Sequence, residues 1–275
     1  MFAADSESTR RVALVIQYLG TDFYGWQRQP NHLSVQQTIE EAIAKICGKS
    51  TVLHSAGRTD TGVHAAAQVA HFDTTSMIPP HRWAKVLNAY LPKDILICGS
   101  TEVANDWHAR FSARWRRYRY TIYTAAIPNL FVKQFSWHYY LDHLDEHLIH
   151  QALQPMLGEQ DMAAFQRAGS SRLHSRLEVQ EALCWRDGDF VHVEVQASGF
   201  LYGMIRLLLG QLVEVGRSRL TVADFTNRWQ QKRRIEVKYA APPQGLCLLA
   251  IGYADNLFAE FAKFDRKNLI DKSRL

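Results

Sequence analysis

The 275-residue sequence has few cysteines, no long apolar run and no excess of acidic residues. Its four cysteines lie 51, 86 and 63 residues apart, so neither a Cys-x-x-Cys pair nor a compact disulfide framework is expected. The most apolar segment, residues 200–215, is broken by Arg206, Gln211 and Glu214 and is shorter than the roughly 20 residues of a membrane span. We therefore expect free thiols in a reducing cytoplasm and no membrane insertion.

Several common signatures are also missing. The sequence contains no Gly-x-x-x-x-Gly-Lys-Ser/Thr, Gly-x-Gly-x-x-Gly or Gly-x-Ser-x-Gly motif, which argues against nucleotide hydrolysis, dinucleotide redox chemistry and serine-hydrolase chemistry. The first eight residues carry acids where a signal peptide needs basic residues, so no export is expected.

The composition is that of an ordinary globular protein, with 47% hydrophobic residues, 15 glycines and 8 prolines. Its 32 basic and 27 acidic residues give a net charge of +5 and a sequence pI near 9.0. This balance is compatible with a nucleic-acid partner. Because many basic proteins bind no nucleic acid, the placement of the charges matters more than their sum.

The first half predicts a β-α-β-β-α-β order. A β-branched run over residues 11–18 predicts a buried strand. Ser34 and Gln37 form a capping box before a helix that ends at Gly48. The elements expected next are strands at 51–56 and 68–72, a helix at 80–90 and a strand at 95–100.

The second half predicts the same order. Its expected elements are an extended segment at 114–124, a helix at 144–156, a loop at 170–175, hairpin strands at 177–185 and 190–197, helices at 200–215 and 222–230, and a closing strand at 246–253. Each half thus predicts a split βαβ arrangement, a four-stranded antiparallel sheet with two helices on one face. A duplicated α+β architecture of this kind leaves a cleft between side-by-side sheets, where binding sites commonly form.

The expected domain division has four parts. Residues 1–10 are a flexible extension, 11–105 are the first half with the polar loop described next, 106–254 are the second half, and 255–275 are a polar extension. The boundary is expected between Val103 and Arg114.

A polar loop at residues 56–65 joins two apolar strands and carries Arg58, Asp60 and His64 around two glycines. Glycines permit tight backbone turns. A guanidinium beside Asp60 can hold it ionised, so the carboxylate can act as nucleophile or base in a cleft. The alternative is a hairpin-like connection with an Asx-turn and a surface ion pair, and His64 is equally ambiguous.

Residues 113–120 interleave four arginines with three aromatics. Alternation along a strand gives two faces: Arg114, Arg116, Tyr118 and Tyr120 on one, and Trp115, Arg117 and Arg119 on the other. Guanidinium groups neutralise phosphates and aromatic rings stack on unpaired bases, which is how single-stranded nucleic acid is commonly bound. The alternative is an edge strand protected by charge, with its aromatics in the core.

Arg206 is a charge two turns into an otherwise apolar helix that is expected to begin at Phe200. A buried guanidinium is costly unless paired, so it meets a carboxylate or phosphate across the cleft, or it reaches the surface over its aliphatic stem.

The best metal candidate is the pair His143 and His147, which share a face of the expected helix. Leucines supply the core stripe of that helix and leave the histidines on its solvated face. Since no His-Glu-x-x-His pattern is present, no metal site is expected.

The polar loop closely resembles that of the tRNA pseudouridine synthase A family. The matching motifs, in order, are Tyr24-Gly25-Trp26-Gln27-Arg28-Gln29, Ser34-Val35-Gln36, Gly57-Arg58-Thr59-Asp60-Thr61-Gly62-Val63-His64-Ala65, Asn88 to Ile95, His108 to Ala113, Arg117 to Tyr120, Phe200 to Arg206 and Ala241 to Leu246. The resemblance covers about residues 11–254. It implies two ferredoxin-like βαββαβ halves with a basic cleft, and a cytoplasmic homodimer. It also implies uridine isomerisation at tRNA positions 38, 39 and 40 in the anticodon stem-loop, without cofactor or metal.

The resemblance also implies roles for single residues. Asp60 matches the essential aspartate, which either adds to the base or sugar as a nucleophile or removes the 2′ proton to give a glycal. Arg58 pairs with Asp60 and holds the gap left by the extruded nucleotide. Tyr118 stacks on the uracil and assists C5 deprotonation.

Two further residues complete the implied site. Arg206 is a second partner for the Asp60 carboxylate, and Leu246 is an apolar wall that retains the detached base. The implied phosphate contacts are Arg114, Arg116, Arg117 and Arg119. One departure from the family is Gln160-Asp161-Met162, where many members have His-Asp-Phe.

Two other functions compete with an isomerase. Tandem sheets of this kind also describe a non-catalytic RNA-binding module, although the usual signature of the RNA-recognition motif is absent. A metal-dependent hydrolase that uses the region of His143 would lose activity in a chelator.

Overall fold

A computed structural model gives the fold and describes residues 9–167, 174–237, 239–254 and 257–258. Within these ranges the protein is a mixed α+β molecule with ten strands and five α-helices. It forms two compact units. The first takes the described residues of Met1–Thr61, Ala65–Arg114 and Ala250–Leu275, and the second takes those of Gly62–His64 and Trp115–Leu249.

The first unit contains the predicted β-α-β-β-α-β order. Its elements are β1 (Arg10–Tyr18), α1 (Val35–Cys47), β2 (His54–Ser55), β3 (His64–Thr74), α2 (Trp83–Asn88) and β4 (Ile95–Val103). Strand β1 pairs antiparallel with both β3 and β4, and β2 pairs antiparallel with β3, so the strand order is β4-β1-β3-β2.

Local sequence explains the ends of α1. The Ser34 hydroxyl accepts from the Gln37 amide at 3.3 Å, and Gly48 ends the helix with φ of +69°. The Gln37 side chain donates to Glu41 instead, so the capping box that we expected is only half formed. Apolar residues on one side of the helix, among them Ile39 and Ile43, are fully buried in the core of the unit.

The second unit is built around a long hairpin. Its elements are β5 (Ala113–Tyr123, whose first two residues belong to the first unit), β6 (Trp137–His138), α3 (Glu146–Leu153), β7 (Gly158–Asp161), β8 (Arg176–Asp187), β9 (Phe190–Ala197), α4 (Met204–Gly216), α5 (Val222–Gln230) and the start of β10 (Leu246–Tyr253). The strand order is β10-β5-β9-β8-β7, with β6 parallel to β5. The predicted hairpin is confirmed, and Gly188 takes φ of +57° in its turn.

Several element boundaries differ from the prediction, and three of them have a local explanation. Helix α4 begins at Met204 rather than Phe200, because Gly203 has a left-handed backbone with φ of +70°. Helix α3 begins at Glu146, where the Asp145 carboxylate caps it. Strand β3 begins at His64, four residues earlier than expected, through the buried alanines at 65–67.

The change between the two compact units falls after Arg114, and the division into halves at 105/106 stays a prediction. Residues 106–114 belong with the first unit because Trp107 packs on Tyr253, with ring centroids 5.0 Å apart, and because the Ala109 amide donates to His71 Nδ1 at 3.2 Å. The extensions expected at 1–10 and 255–275, and the loop expected at 170–175, lie mostly outside the described residues. Among the helices of the described ranges, none has both the length and the apolar character needed to cross a membrane.

Candidate active site

The polar loop connects β2 to β3, and its residues up to Thr61 belong to the first unit. Asp60 is half-buried in it and Arg58 is exposed. The Arg58 guanidinium is therefore accessible to an incoming ligand, and its pairing with Asp60 stays a prediction.

Neutral groups hold the first part of this loop. The Tyr18 hydroxyl lies 2.7 Å from Thr59 Oγ1, in a buried contact. The Gln68 amide donates to the Gly57 carbonyl oxygen at 2.8 Å. Gly25, with φ of +82°, packs so closely that a β-carbon there would lie 2.7 Å from the Thr59 carbonyl oxygen. Neutral contacts therefore fix the backbone next to Asp60.

The end of the loop, Gly62–His64, belongs to the second unit. A β-carbon at Gly62 would lie 2.9 Å from Pro243 Cγ. His64 Nε2 lies 2.8 Å from the Gln134 carbonyl oxygen. Burial lowers the pKa of His64, while its hydrogen bonds to the backbone of Gln134 and Gln244 act in the opposite direction. This ambiguous histidine thus anchors the loop to the Pro243–Gln244 segment.

Tyr118 lies on β5 in the second unit and is 8% exposed. Its ring packs edge-on against Phe200, with centroids 4.8 Å apart. Strand β5 lies between β10 and β9 in the sheet, and β6 pairs with its far end. The edge-strand alternative is therefore wrong for this segment.

Arg206 lies in the first turn of α4, not two turns in, because the helix begins late. Its Nε donates to the Ala241 carbonyl oxygen at 2.7 Å, and the Ala241 amide donates back to the Arg206 carbonyl oxygen at 2.8 Å. The nearby Tyr120 hydroxyl donates to the Pro242 carbonyl oxygen at 2.7 Å. Burial raises the pKa of Tyr120 well above its ordinary value, and the Arg206 charge opposes that shift.

Leu246 is the buried first residue of β10 and directly follows this segment. At the preceding Gly245, a β-carbon would lie 2.7 Å from Tyr120 Cζ. In the second unit, residues 241–245 therefore contact Arg206, Tyr120 and Gly62 and lead directly into Leu246.

The arginines of β5 differ in their surroundings. Arg119 is buried, and its Nη2 lies 2.8 Å from Glu194 Oε2. Arg117 donates to Gln196 Oε1 and lies 3.3 Å from a Glu181 carboxylate oxygen. These two guanidinium groups are neutralised within the sheet.

The other two arginines of β5 differ in exposure. Arg116 is buried and donates to the Ser198 carbonyl oxygen at 2.9 Å. Arg114 is exposed. Arg114 is thus the most exposed of the four arginines, and the phosphate contacts implied for all four stay predictions.

His143 and His147, the best metal candidates of the sequence, are not arranged as expected. Helix α3 begins after His143, so His143 and His147 do not share a helical face. Within the described part of the chain, no group of three or more His, Cys, Asp or Glu side chains could hold a metal ion.

The departure from the family pattern at 160–162 forms a packed turn. Met162 is fully buried, and Asp161 accepts from the Ala163 amide at 3.1 Å and pairs with Lys232 at 2.6 Å. The Lys232 hydrogen bond is the main reason that the pKa of Asp161 is lowered.

Sequence reasoning missed several supporting residues, namely Tyr18, Gly25, Tyr120, Ala241 and Pro243. The motifs at 24–29 and 241–246 were recognisable signals, but only Leu246 received a role. The contacts of these residues join distant parts of the chain, so motif spacing alone does not reveal them.

Comparison with known proteins agrees with the motifs. A model of the tRNA pseudouridine synthase family matches residues 14–112 and 152–254. The chain is 61% identical over 259 residues to tRNA pseudouridine synthase A of Nostoc sp. strain PCC 7120, with 94% of this chain and 92% of that protein covered. It is 58% identical to tRNA pseudouridine synthase A of Rippkaea orientalis, with 98% of this chain and 92% of that protein covered. It is 56% identical to tRNA pseudouridine synthase A of Synechocystis sp., with 98% of each chain covered. The protein belongs to the tRNA pseudouridine synthase family.

Proposed function

We propose that this protein isomerises uridine to pseudouridine in tRNA, at positions 38, 39 and 40 of the anticodon stem-loop. The observation that carries the proposal is the position of Asp60 in its loop. The loop is held by neutral groups on one side of Asp60, and Gly62 packs on Pro243 on the other. Two residues of chain span at most about 7 Å, which keeps the α-carbon of Asp60 within that distance of Gly62.

The reaction breaks the uridine N1–C1′ bond and forms a C5–C1′ bond. The C5 proton is lost to solvent and N1 gains a proton, so substrate and product have the same atoms. Asp60 acts either as a nucleophile that adds to the base or sugar, or as a base that removes the 2′ proton. Because the target base must leave its stack first, the exposed Arg58 is proposed to hold the gap that it leaves.

The second unit is proposed to bind the extruded nucleoside. Tyr118 stacks on the uracil and assists loss of the C5 proton, Leu246 retains the detached base, and Arg206 steadies the Asp60 carboxylate. The contact of Arg206 with Ala241 supports this role, because that segment also packs against Gly62 through Pro243.

Among the β5 arginines, we propose Arg114 as the phosphate contact, since it is exposed. Arg116, Arg117 and Arg119 would first have to leave the partners that they hold in the sheet, which is costly for buried charges. Their contribution to tRNA binding is therefore proposed to be smaller.

We further propose two ferredoxin-like halves, a cytoplasmic location and a homodimer. The strand orders β4-β1-β3-β2 and β10-β5-β9-β8 support the two ferredoxin-like halves. The four free thiols support the cytoplasmic location. For the third, Ile127, Leu130 and Phe131 are each more than 70% exposed, and apolar surface of this kind commonly marks an interface. Sedimentation of the wild type and of Phe131→Ser tests the homodimer.

The function is tested with tRNA that carries tritium at uracil C5. The wild type is expected to release tritium, and Asp60→Asn to release none while still binding tRNA. Asp189→Asn is the matched control, because it makes the same change at an exposed turn. Binding without product by the wild type would instead indicate a non-catalytic RNA-binding module, and undiminished release by Asp60→Asn would refute the role of Asp60.

A further inference from the structure

Phe111 is 77% exposed although it is a large apolar residue. Its ring packs against His108 with centroids 4.4 Å apart, and the Arg110 guanidinium carbon lies 5.8 Å from its centroid. His108 in turn contacts His54, at 5.6 Å. We call His54, His108, Arg110 and Phe111 the Phe111 patch. All four belong to the first unit, and none has a role in the proposed reaction.

The turn that carries Phe111 is held by many hydrogen bonds. The Ser112 amide donates to the His108 carbonyl oxygen at 2.9 Å, and the Arg110 amide donates to His108 Nδ1 at 3.0 Å. Ala109 at its centre is fully buried, and the Tyr253 hydroxyl donates to its carbonyl oxygen at 2.7 Å. A ring fixed in this way loses little conformational entropy when a ligand packs on it.

The charged forms of His71 and His108, which lie behind Phe111, are disfavoured. Burial and the neighbouring His108 and Arg11 lower the pKa of His71 to about 4, and burial together with His54 and Arg11 lowers the pKa of His108. Arg11 is itself paired with Asp73. The exposed guanidinium of Arg110 is a permanent positive charge in the patch.

An exposed aromatic ring beside a guanidinium suits one class of ligand. An exposed aromatic ring offers a stacking surface to an unpaired base, and a guanidinium beside it suits the adjacent phosphate. A protein partner would more commonly face a wider apolar surface, whereas the immediate neighbours of Phe111 are an imidazole and a guanidinium.

We infer that the Phe111 patch binds an unpaired nucleotide of the tRNA, with the base stacked on Phe111 and a neighbouring phosphate at Arg110. The inference rests on the proposed function for the identity of the RNA. It does not depend on the chemistry of Asp60.

The test measures tRNA affinity in the Asp60→Asn background, where no product forms. Phe111→Ala is expected to weaken binding about 5- to 100-fold, the range for loss of one stacked base. Phe111→Tyr is expected to bind within about twofold of the parent, since it keeps the ring. Arg110→Gln is expected to weaken binding and to lower the slope of log Kd against log salt by about one.

Met77→Ala is the matched control, since Met77 is 89% exposed in the same unit but belongs to no aromatic or basic cluster. It is expected to bind as the parent does. The inference is overturned if Phe111→Ala binds tRNA normally, if Met77→Ala weakens binding equally, or if Phe111→Ala changes only the sedimenting mass.

Failure of the inference can be told apart from failure of the proposed function. If the wild type releases no tritium from tRNA but Phe111→Ala weakens binding, the patch stands and the isomerase proposal fails. If the wild type releases tritium and Phe111→Ala binds normally, the isomerase proposal stands and the patch is refuted.

Discussion

The loop around Asp60 and strand β5 are both rich in polar groups, but they are held in opposite ways. The loop is fixed by neutral contacts, such as the hydrogen bond between Tyr18 and Thr59 and the close packing of Gly25. Strand β5 is fixed by charges, above all the buried ion pair of Arg119 and Glu194. The hydrogen bonds at Gly57 and Thr59 that hold the first part of the loop are thus neutral, whereas most charges of β5 are used to hold the sheet.

The difference also explains why density of charge is a poor guide to function. Residues 113–120 carry four arginines, yet three of them have partners within the second unit. A guanidinium that already has a carboxylate partner gains little from a phosphate, because it must give up one ion pair to form another.

The largest effect is expected at β5. Arg119→Met leaves Glu194, which is 2% exposed, without its main partner, so the free energy of unfolding should fall by about 3–5 kcal/mol. Urea denaturation followed by circular dichroism measures it. The double variant Arg119→Met/Glu194→Leu should recover most of the loss, because it removes both charges. A loss below about 1 kcal/mol in the single variant would mean that charge does not hold β5.

The next effect is expected in the loop. Gly25→Ala forces a β-carbon against the Thr59 carbonyl oxygen, and the shifted loop should lower kcat about 100-fold. Gly48→Ala is the control, because it has a similar backbone, with φ of +69°, but open space around it. Both variants should lose about 1–2 kcal/mol of stability from the left-handed backbone. Equal loss of kcat in the two variants would show that crowding at Thr59 is unimportant.

Acid should destabilise both units, and to a smaller extent. Burial is the main cause that lowers the pKa of His71 in the first unit, and of His192 opposite Thr121 in the second, to about 4. Between about pH 6.5 and 4 the unfolded chain takes up protons that the folded histidines do not, so stability falls as the pH falls. Each histidine should contribute on the order of 2 kcal/mol.

Urea midpoints between pH 7.5 and 4 measure this loss. His71→Gln and His192→Gln should each flatten the pH dependence, and the double variant should flatten it most. Stability that rises as the pH falls from 6.5 to 4 would contradict the burial of both imidazoles.

Most secondary-structure elements of the fold could be predicted from local sequence patterns. Helix α5 and strand β10 have the predicted bounds, and α1 begins and ends at the predicted Ser34 and Gly48. The misses are places where tertiary contacts override local preference. Ala65 to Ala67 favour no strand by themselves but lie in β3, where Ala65 pairs with Tyr18 of β1, and the left-handed backbone of Gly203 delays α4.

The contacts of the candidate site could be predicted less completely from the sequence than the fold. The residues of the loop at 57–65 are local in sequence, so a motif identified them. The partners of the β5 arginines are not local, since Glu194 lies 75 residues after Arg119 and meets it only through the register of β5 and β9. The exposure of Phe111 is likewise invisible in a pattern, because an apolar residue next to a strand is ordinarily expected inside.

The smallest effect is expected for Tyr18→Phe, which tests how finely the neutral contacts tune the loop. Loss of the hydroxyl leaves Thr59 Oγ1 buried without this partner, so stability should fall by about 1 kcal/mol and kcat about three- to tenfold. Tyr253→Phe removes a hydroxyl with the same 2.7 Å geometry at Ala109, away from the loop. It should cost similar stability but leave kcat at saturating tRNA unchanged. If both variants lower kcat equally, general loosening of the first unit explains the loss, and the contact between Tyr18 and Thr59 has no special part in positioning Asp60.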